Sequence, residues 1–157
     1  MTLQGRLIVV VEDEAAVRDG LVVLLQAWGA SVLAYDSVEQ LEAAIAGPLA
    51  AAGATRPDLL LVDYRLPQGR TGIDALGLLR RRWPDPAPPA IIITGSTMGG
   101  HEQEAEQHNF HLLIKPVLPN KLRAMIAFKL GVKAAAPVVV PAVVPAVMQV
   151  DEPPKVG

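Results

Sequence analysis

Five side chains in this 157-residue sequence sit where an apolar run gives way to polar residues: Glu12, Asp13, Asp63, Thr94 and Lys115. Three carboxylates brought together repel one another, and without a counter-charge at least one is driven toward protonation. A divalent cation removes that conflict. Hard oxygen donors with no His or Cys beside them favour Mg²⁺, which keeps several waters and is completed by a phosphate oxygen. Transfer of a phosphoryl group through a loose transition state asks only for an in-line nucleophile and neutralised equatorial oxygens. Asp63 can be that nucleophile and form an acyl phosphate, with Mg²⁺ on Glu12, Asp13 and Asp63 covering one oxygen, Lys115 a second and the Thr94 hydroxyl a third. Taken singly, Asp63 reads as a helix cap or turn former, Thr94 as a strand terminus and Lys115 as a surface charge. Their order along the chain makes the case.

That order matters only if the chain delivers all five to one place. Leu7 to Val11 is a mostly β-branched run that suits a strand buried on both faces of a parallel sheet, and it ends in Glu12, Asp13 and Glu14. Val17, Leu21, Leu24, Leu25 and Trp28 then recur at helical spacing up to Gly29. Ser31 to Ala34 predicts a second strand, and Ser37 with Gln40 a capping-box start for a helix through about Ala46, followed by a loop to Gly53. Leu59 to Val62 predicts a third strand ending on Asp63, and Ile73, Leu76 and Leu79 a helix closing in Arg80, Arg81 and Arg82. Pro84, Pro86, Pro88 and Pro89 interrupt the chain before a fourth strand, Ala90 to Ile93, that ends on Thr94 and Gly95. The polar segment from Gly99 to Asn109 is assigned to a helix on weak periodicity. Leu112 to Ile114 predicts a fifth strand ending on Lys115 and Pro116, and Pro119 opens a helix carrying Leu122, Met125 and Ile126. Five βα units make an open parallel sheet, whose ligand site lies beyond the carboxyl ends of its strands.

Composition narrows the function classes. With 51% hydrophobic residues the chain can close one core of ordinary domain size. It has no cysteine, which excludes a disulfide framework and thiolate metal ligation. A net charge of −2 argues against nucleic-acid binding through this chain. Met1 to Arg6 lacks the features of a secretory signal, so a cytoplasmic location is expected. The expected organisation is a lead-in at 1–6, a folded unit at 7–131 and a flexible Pro/Val/Ala-rich tail at 132–157, where Pro137, Pro141 and Pro145 argue against a membrane span. Arg80 to Arg82 read as a solvated helix end, His101, His108 and His111 as surface histidines, and Trp28 as core margin.

Glu12-Asp13 after the first strand, Asp63 with Leu66-Pro67 beyond it, Thr94 after an apolar strand and the Lys115-Pro116 pair resemble the receiver domains of response regulators over about Arg6 to Leu130. The resemblance implies an α/β, flavodoxin-like five-stranded parallel sheet of order 2-1-3-4-5 with helices on both faces. It also implies a phosphohistidine donor on a histidine kinase or histidine phosphotransfer domain, a cis Lys115–Pro116 bond, and the backbone carbonyl of Arg65 as a further Mg²⁺ ligand. The chain would then be a signalling switch that acts only on its own phosphorylation, and a homodimer is compatible with it. Asp63-Tyr64-Arg65-Leu66, Thr71-Gly72-Ile73-Asp74 and His111 to Pro116 resemble receivers at the C-terminus of hybrid sensor histidine kinases. A stand-alone regulator and a phosphorylation-independent binding module are the alternatives. Two positions depart from the family pattern: Leu112 stands where most receivers have Tyr or Phe, and the acidic pair is Glu-Asp instead of Asp-Asp. A haloacid-dehalogenase-type phosphatase needs a second Asp two residues after its nucleophile, and Ala15 stands at that distance from Asp13. A dinucleotide-binding domain needs a glycine-rich turn where Glu12-Asp13-Glu14 stands.

Overall fold

In the computed structural model, which describes residues 2–95 and 101–131, the five apolar runs become strands of one parallel sheet. Along the chain come β1 (Leu7–Val11), α1 (Ala15–Ala27), β2 (Ser31–Tyr35), α2 (Val38–Ala46), β3 (Leu59–Asp63), α3 (Gly72–Arg82), β4 (Ala90–Thr94), α4 (His101–His108), β5 (His111–Ile114) and α5 (Pro119–Leu130). The sheet order is β2-β1-β3-β4-β5, every pairing parallel. This is the flavodoxin-like order the resemblance implies. The tail expected at 132–157 and the Gly99 end of the polar segment lie outside the described residues.

Alternate residues of the central strands serve different cores, because successive side chains of a strand point to opposite faces. Val9, Val11, Leu60, Val62 and Ile92 pack with Leu41 of α2, Leu76 and Leu79 of α3, and Phe110. Ile8, Val10, Leu59, Leu61, Ile91 and Ile93 pack with Leu21 and Leu25 of α1 and Leu122 and Ile126 of α5. Each fully buried Leu or Ile contributes about 1.5–3 kcal/mol of hydrophobic stabilisation, so both faces of the sheet are held by side chains with no polar duty. The lead-in also joins the second core: Leu3 is fully buried, and its N–H donates to the Trp28 carbonyl at 2.7 Å. That approach depends on Gly29, whose φ of +104° suits glycine and whose Cβ, if present, would lie 3.0 Å from the Gln4 nitrogen.

Local signals held with two adjustments. Ser37 Oγ accepts from the Gln40 N–H at 3.1 Å, but Gln40 Oε1 accepts from the Asp36 N–H instead of the Ser37 N–H, so the reciprocal box is shifted by one residue. The Arg80–Arg82 helix end is not a solvated face. Arg82 donates through Nε to the Leu49 carbonyl at 2.8 Å and through Nη2 to the Ala51 carbonyl at 3.0 Å, while Arg80 donates to the carbonyls of His108 and Asn109. Two of the three guanidinium groups therefore clamp neighbouring chain segments whose carbonyls have no strand to pair with. Arg81 alone is exposed.

The first residue of α3 lies close against β3. A Cβ on Gly72 would lie 2.9 Å from the Asp63 carbonyl oxygen and 3.1 Å from Val62 Cγ1. Gly72→Ala is therefore expected to destabilise the fold by about 1–3 kcal/mol, the cost of overpacking a filled site. Gly20→Ala, in α1 with open space around it, is expected to stabilise by about 1 kcal/mol through helix propensity. Urea denaturation of the two variants measures both, and equal effects would contradict the close approach.

Candidate functional site

Strand order explains why the polar residues meet. β1, β3, β4 and β5 are consecutive neighbours apart from β2 at the margin, so Glu12 and Asp13 just after β1, Asp63 closing β3, Thr94 closing β4 and Lys115 just after β5 all emerge at one sheet edge. β3 and β4 are apolar on both faces until their last residue, and backbone pairing continues to the rim. The Tyr64 N–H donates to the Ile93 carbonyl at 2.7 Å and the Lys115 N–H to the Thr94 carbonyl at 2.8 Å. The Lys115–Pro116 bond is cis.

The edge encloses a cavity of about 460 Å³ lined by Asp13, Asp63, Tyr64, Arg65, Thr94, Gly95 and Lys115. Carboxylate oxygens of Glu12, Asp13 and Asp63 lie within 4.8 Å of one another. The Lys115 ammonium stands 3.5 Å from each oxygen of the Asp63 carboxylate. That is a loose pair, and the Lys115 side chain is 40% exposed, so its attraction is screened and it can turn to another anion at little cost. Thr94 is buried and Asp63 nearly so, while Asp13 and the Arg65 side chain are open to solvent.

Electrostatics here favour an added cation. The Glu12 carboxyl, 2% exposed, is pushed up from 4.5 to about 7, first by burial and further by the Asp63 charge and by Asp13, against the Glu14 N–H that donates to its Oε2 at 3.0 Å. Asp63 is also raised, by burial first, with Lys115 opposing. One ammonium does not balance three crowded carboxyls. An all-oxygen donor set short of positive charge fits Mg²⁺. Arg18 braces the cluster from beneath, its Nη1 donating to the Glu12 carbonyl at 2.9 Å.

All five side chains read from the sequence thus converge. Leu112, in the place of the family's aromatic, packs half-buried against the core around Phe110. A Cβ on Gly95 would meet Lys115 Cδ at an ordinary 3.7 Å. The histidines divide. His108 is exposed; His101 stacks on the Tyr64 ring with centroids 4.2 Å apart; His111 is half-buried edge-on to Phe128, its titration lowered by burial and by Lys129. Tyr64 and Gly72 are the site residues the sequence reading left without a role. An amphipathic aromatic next to a strand-end carboxylate was the signal for Tyr64, since a half-buried phenol needs a partner for its hydroxyl; Gly72 had only its place at a helix start.

A family model described as the response regulator receiver domain matches residues 8–127. The phosphate regulon transcriptional regulatory protein PhoB of Pseudomonas aeruginosa is 29% identical over 127 residues, covering 78% of this chain and 50% of that protein. The cyclic di-GMP phosphodiesterase response regulator RpfG of Xanthomonas campestris is 35% identical over 124 residues, covering 76% and 30%. The chain therefore spans half or less of the curated relatives it matches. Among solved structures, a response regulator receiver protein from Burkholderia phymatum superposes with a TM-score of 0.66 at 26% identity, covering 83% of this chain and 99% of that one. A CheY-like receiver protein from Methanospirillum hungatei gives 0.67 at 23% identity, covering 80% and 94%.

The raised Glu12 carboxyl sets a pH dependence with a definite sign. Between about 4.5 and 7 the folded, cation-free chain keeps a proton that the unfolded chain has released, so this contribution to stability is full below that window and lost as pH rises through it. A cation must displace the same proton. Mg²⁺ affinity measured by calorimetry is expected to fall up to roughly tenfold per pH unit below that value, and Glu12→Gln to flatten the profile.

Proposed function

The chain belongs to the response regulator receiver domain family of two-component signalling, and from that premise we propose that Asp63 accepts a phosphoryl group from a phosphohistidine on a histidine kinase or histidine phosphotransfer domain. A carboxylate oxygen of Asp63 attacks phosphorus as the phosphorus–nitrogen bond to the donor imidazole breaks; the imidazole keeps the bonding pair and later takes a proton from solvent. The product is an acyl phosphate. The Lys115 ammonium, loosely held at 3.5 Å from the carboxylate, turns to one phosphoryl oxygen, and the Thr94 hydroxyl donates to another. Glu12, Asp13, Asp63 and the Arg65 carbonyl would hold Mg²⁺, which when bound neutralises a further phosphoryl oxygen and relieves the crowding of carboxylates. Hydrolysis of the acyl phosphate by water resets Asp63, so the chain acts on no diffusible substrate.

The observation that carries this reading is the opening of the Asp63 carboxylate into a cavity between an acidic pair and an ammonium. Asp63-Tyr64-Arg65-Leu66 and Thr71-Gly72-Ile73-Asp74 favour a hybrid sensor histidine kinase as the setting, with the receiver on its cytoplasmic side. Among the described residues no helix is long and apolar enough to cross a membrane. The net charge of −2 gives this chain no attraction for a phosphate backbone.

Incubation with Mg²⁺ and acetyl phosphate is expected to add one phosphoryl group to the native chain by intact-mass measurement and none to Asp63→Asn. Equal lack of labelling in both would sink the acceptor assignment. Lys115→Ala is expected to slow labelling roughly tenfold, below the loss typical of a buried, preorganised donor because this ammonium is part-exposed.

A further inference from the structure

Helix α4 is anchored differently from the other four. Its sequence, His101 to His108, contains a single apolar residue, Ala105, and no residue of the helix is buried. Eight residues without an apolar stripe cannot hold a helix through propensity or burial. Polar and aromatic contacts at its two ends do so instead. At the C-terminal end Arg80 donates to the His108 and Asn109 carbonyls, and the buried Phe110 donates its N–H to the Ala105 carbonyl at 3.0 Å. At the N-terminal end the Tyr64 hydroxyl donates to Glu104, 2.9 Å from Oε1 and 3.2 Å from Oε2. The His101 ring lies against the Tyr64 ring, and His101 Nδ1 is 3.2 Å from Glu104 Oε1, closing a three-residue cluster.

Tyr64 follows Asp63 directly. Its backbone is fixed on both sides, the N–H to the Ile93 carbonyl and the carbonyl to the Gly72 N–H at 2.9 Å. It is also one of the residues that line the cavity into which Asp63 opens. We infer that Tyr64 is a positioning residue that moors α4 through Glu104 and passes the phosphorylation state of Asp63 to that helix, the task for which β5 offers only Leu112. The inference rests on Asp63 being the acceptor. A phosphoryl group in that cavity, one residue along the chain, adds negative charge near a phenol already bound to a carboxylate, which biases the ring away from its partner. Because α4 has little apolar attachment among the described residues, losing one of the two moorings seen there changes its docking equilibrium appreciably.

Amide hydrogen exchange over residues 101–110 of the full chain tests this, with and without Mg²⁺ and beryllofluoride as the phosphoryl mimic. Without the mimic, Tyr64→Phe is expected to exchange roughly fivefold faster across α4 than the native chain, the effect of one lost hydrogen bond. Arg80→Ala loosens the same helix from its other end. On adding beryllofluoride, exchange across α4 changes in the native chain, in Arg80→Ala and in Glu104→Gln, which keeps an oxygen for the hydroxyl, but not in Tyr64→Phe. A native-like response in Tyr64→Phe overturns the coupling. So does loss of the response in both Tyr64→Phe and Arg80→Ala, because loosening alone would then account for it. If fluorine NMR shows beryllofluoride bound to the native chain while α4 exchange stays unchanged, the coupling fails and the acceptor assignment stands. Absence of bound beryllofluoride in the native chain defeats both.

Discussion

Mutual repulsion among Glu12, Asp13 and Asp63 is the constraint on which the rest of this molecule turns. Carboxyls within 4.8 Å of one another would separate if they stood on loops. They are held because the β1 and β3 backbones are paired through Val11 and Val62 and because the strands beneath are packed on both faces. The sheet's apolar faces thus supply the free energy that keeps an unfavourable electrostatic arrangement in place. Glu12 registers the cost most directly, because burial and neighbouring charge raise it further than either would alone. The arrangement is electrostatically unfavourable until positive charge arrives.

How much of this was legible in the sequence follows from the range over which each signal acts. Strand ends were legible, since a run such as Leu59 to Val62 followed by Asp63 marks both the buried segment and the point where it reaches solvent. Parallel order then brought five residues to one edge with no knowledge of contacts. The contacts themselves lay beyond such reasoning. Arg80 and Arg82 look like helix-end cations in one dimension, and only the fold shows that carbonyls at 49, 51, 108 and 109 are within their reach. Leu3 sits before the first strand with no periodic partner, yet it fills a core position. His111 read as a surface residue because β5 is short and its edge-on partner, Phe128, stands on a separate helix.

The family pattern and the departures from it belong to one physical account. A Glu in place of Asp at position 12 lengthens the side chain by one methylene, and its Oε2 accepts from the Glu14 N–H while its carboxyl remains at the cluster. Leu112 in place of an aromatic leaves β5 without a side-chain hydroxyl, while Tyr64 places one just after β3, a single residue from Asp63. Both departures leave the carboxyl edge with its acidic cluster and its lysine in place.

An all-parallel sheet also has a consequence in time. Every strand pairing here joins segments separated by a whole crossover, and the site draws residues from position 12 to position 115. Such contacts close late, because loop-closure entropy must be met before any of them is rewarded. No subset of the chain emerging during synthesis can gather the acidic pair, Asp63 and the lysine, so a partly made or partly unfolded copy lacks the assembled site. An intact carboxyl edge is in that sense a report that the whole domain, through β5, has finished folding.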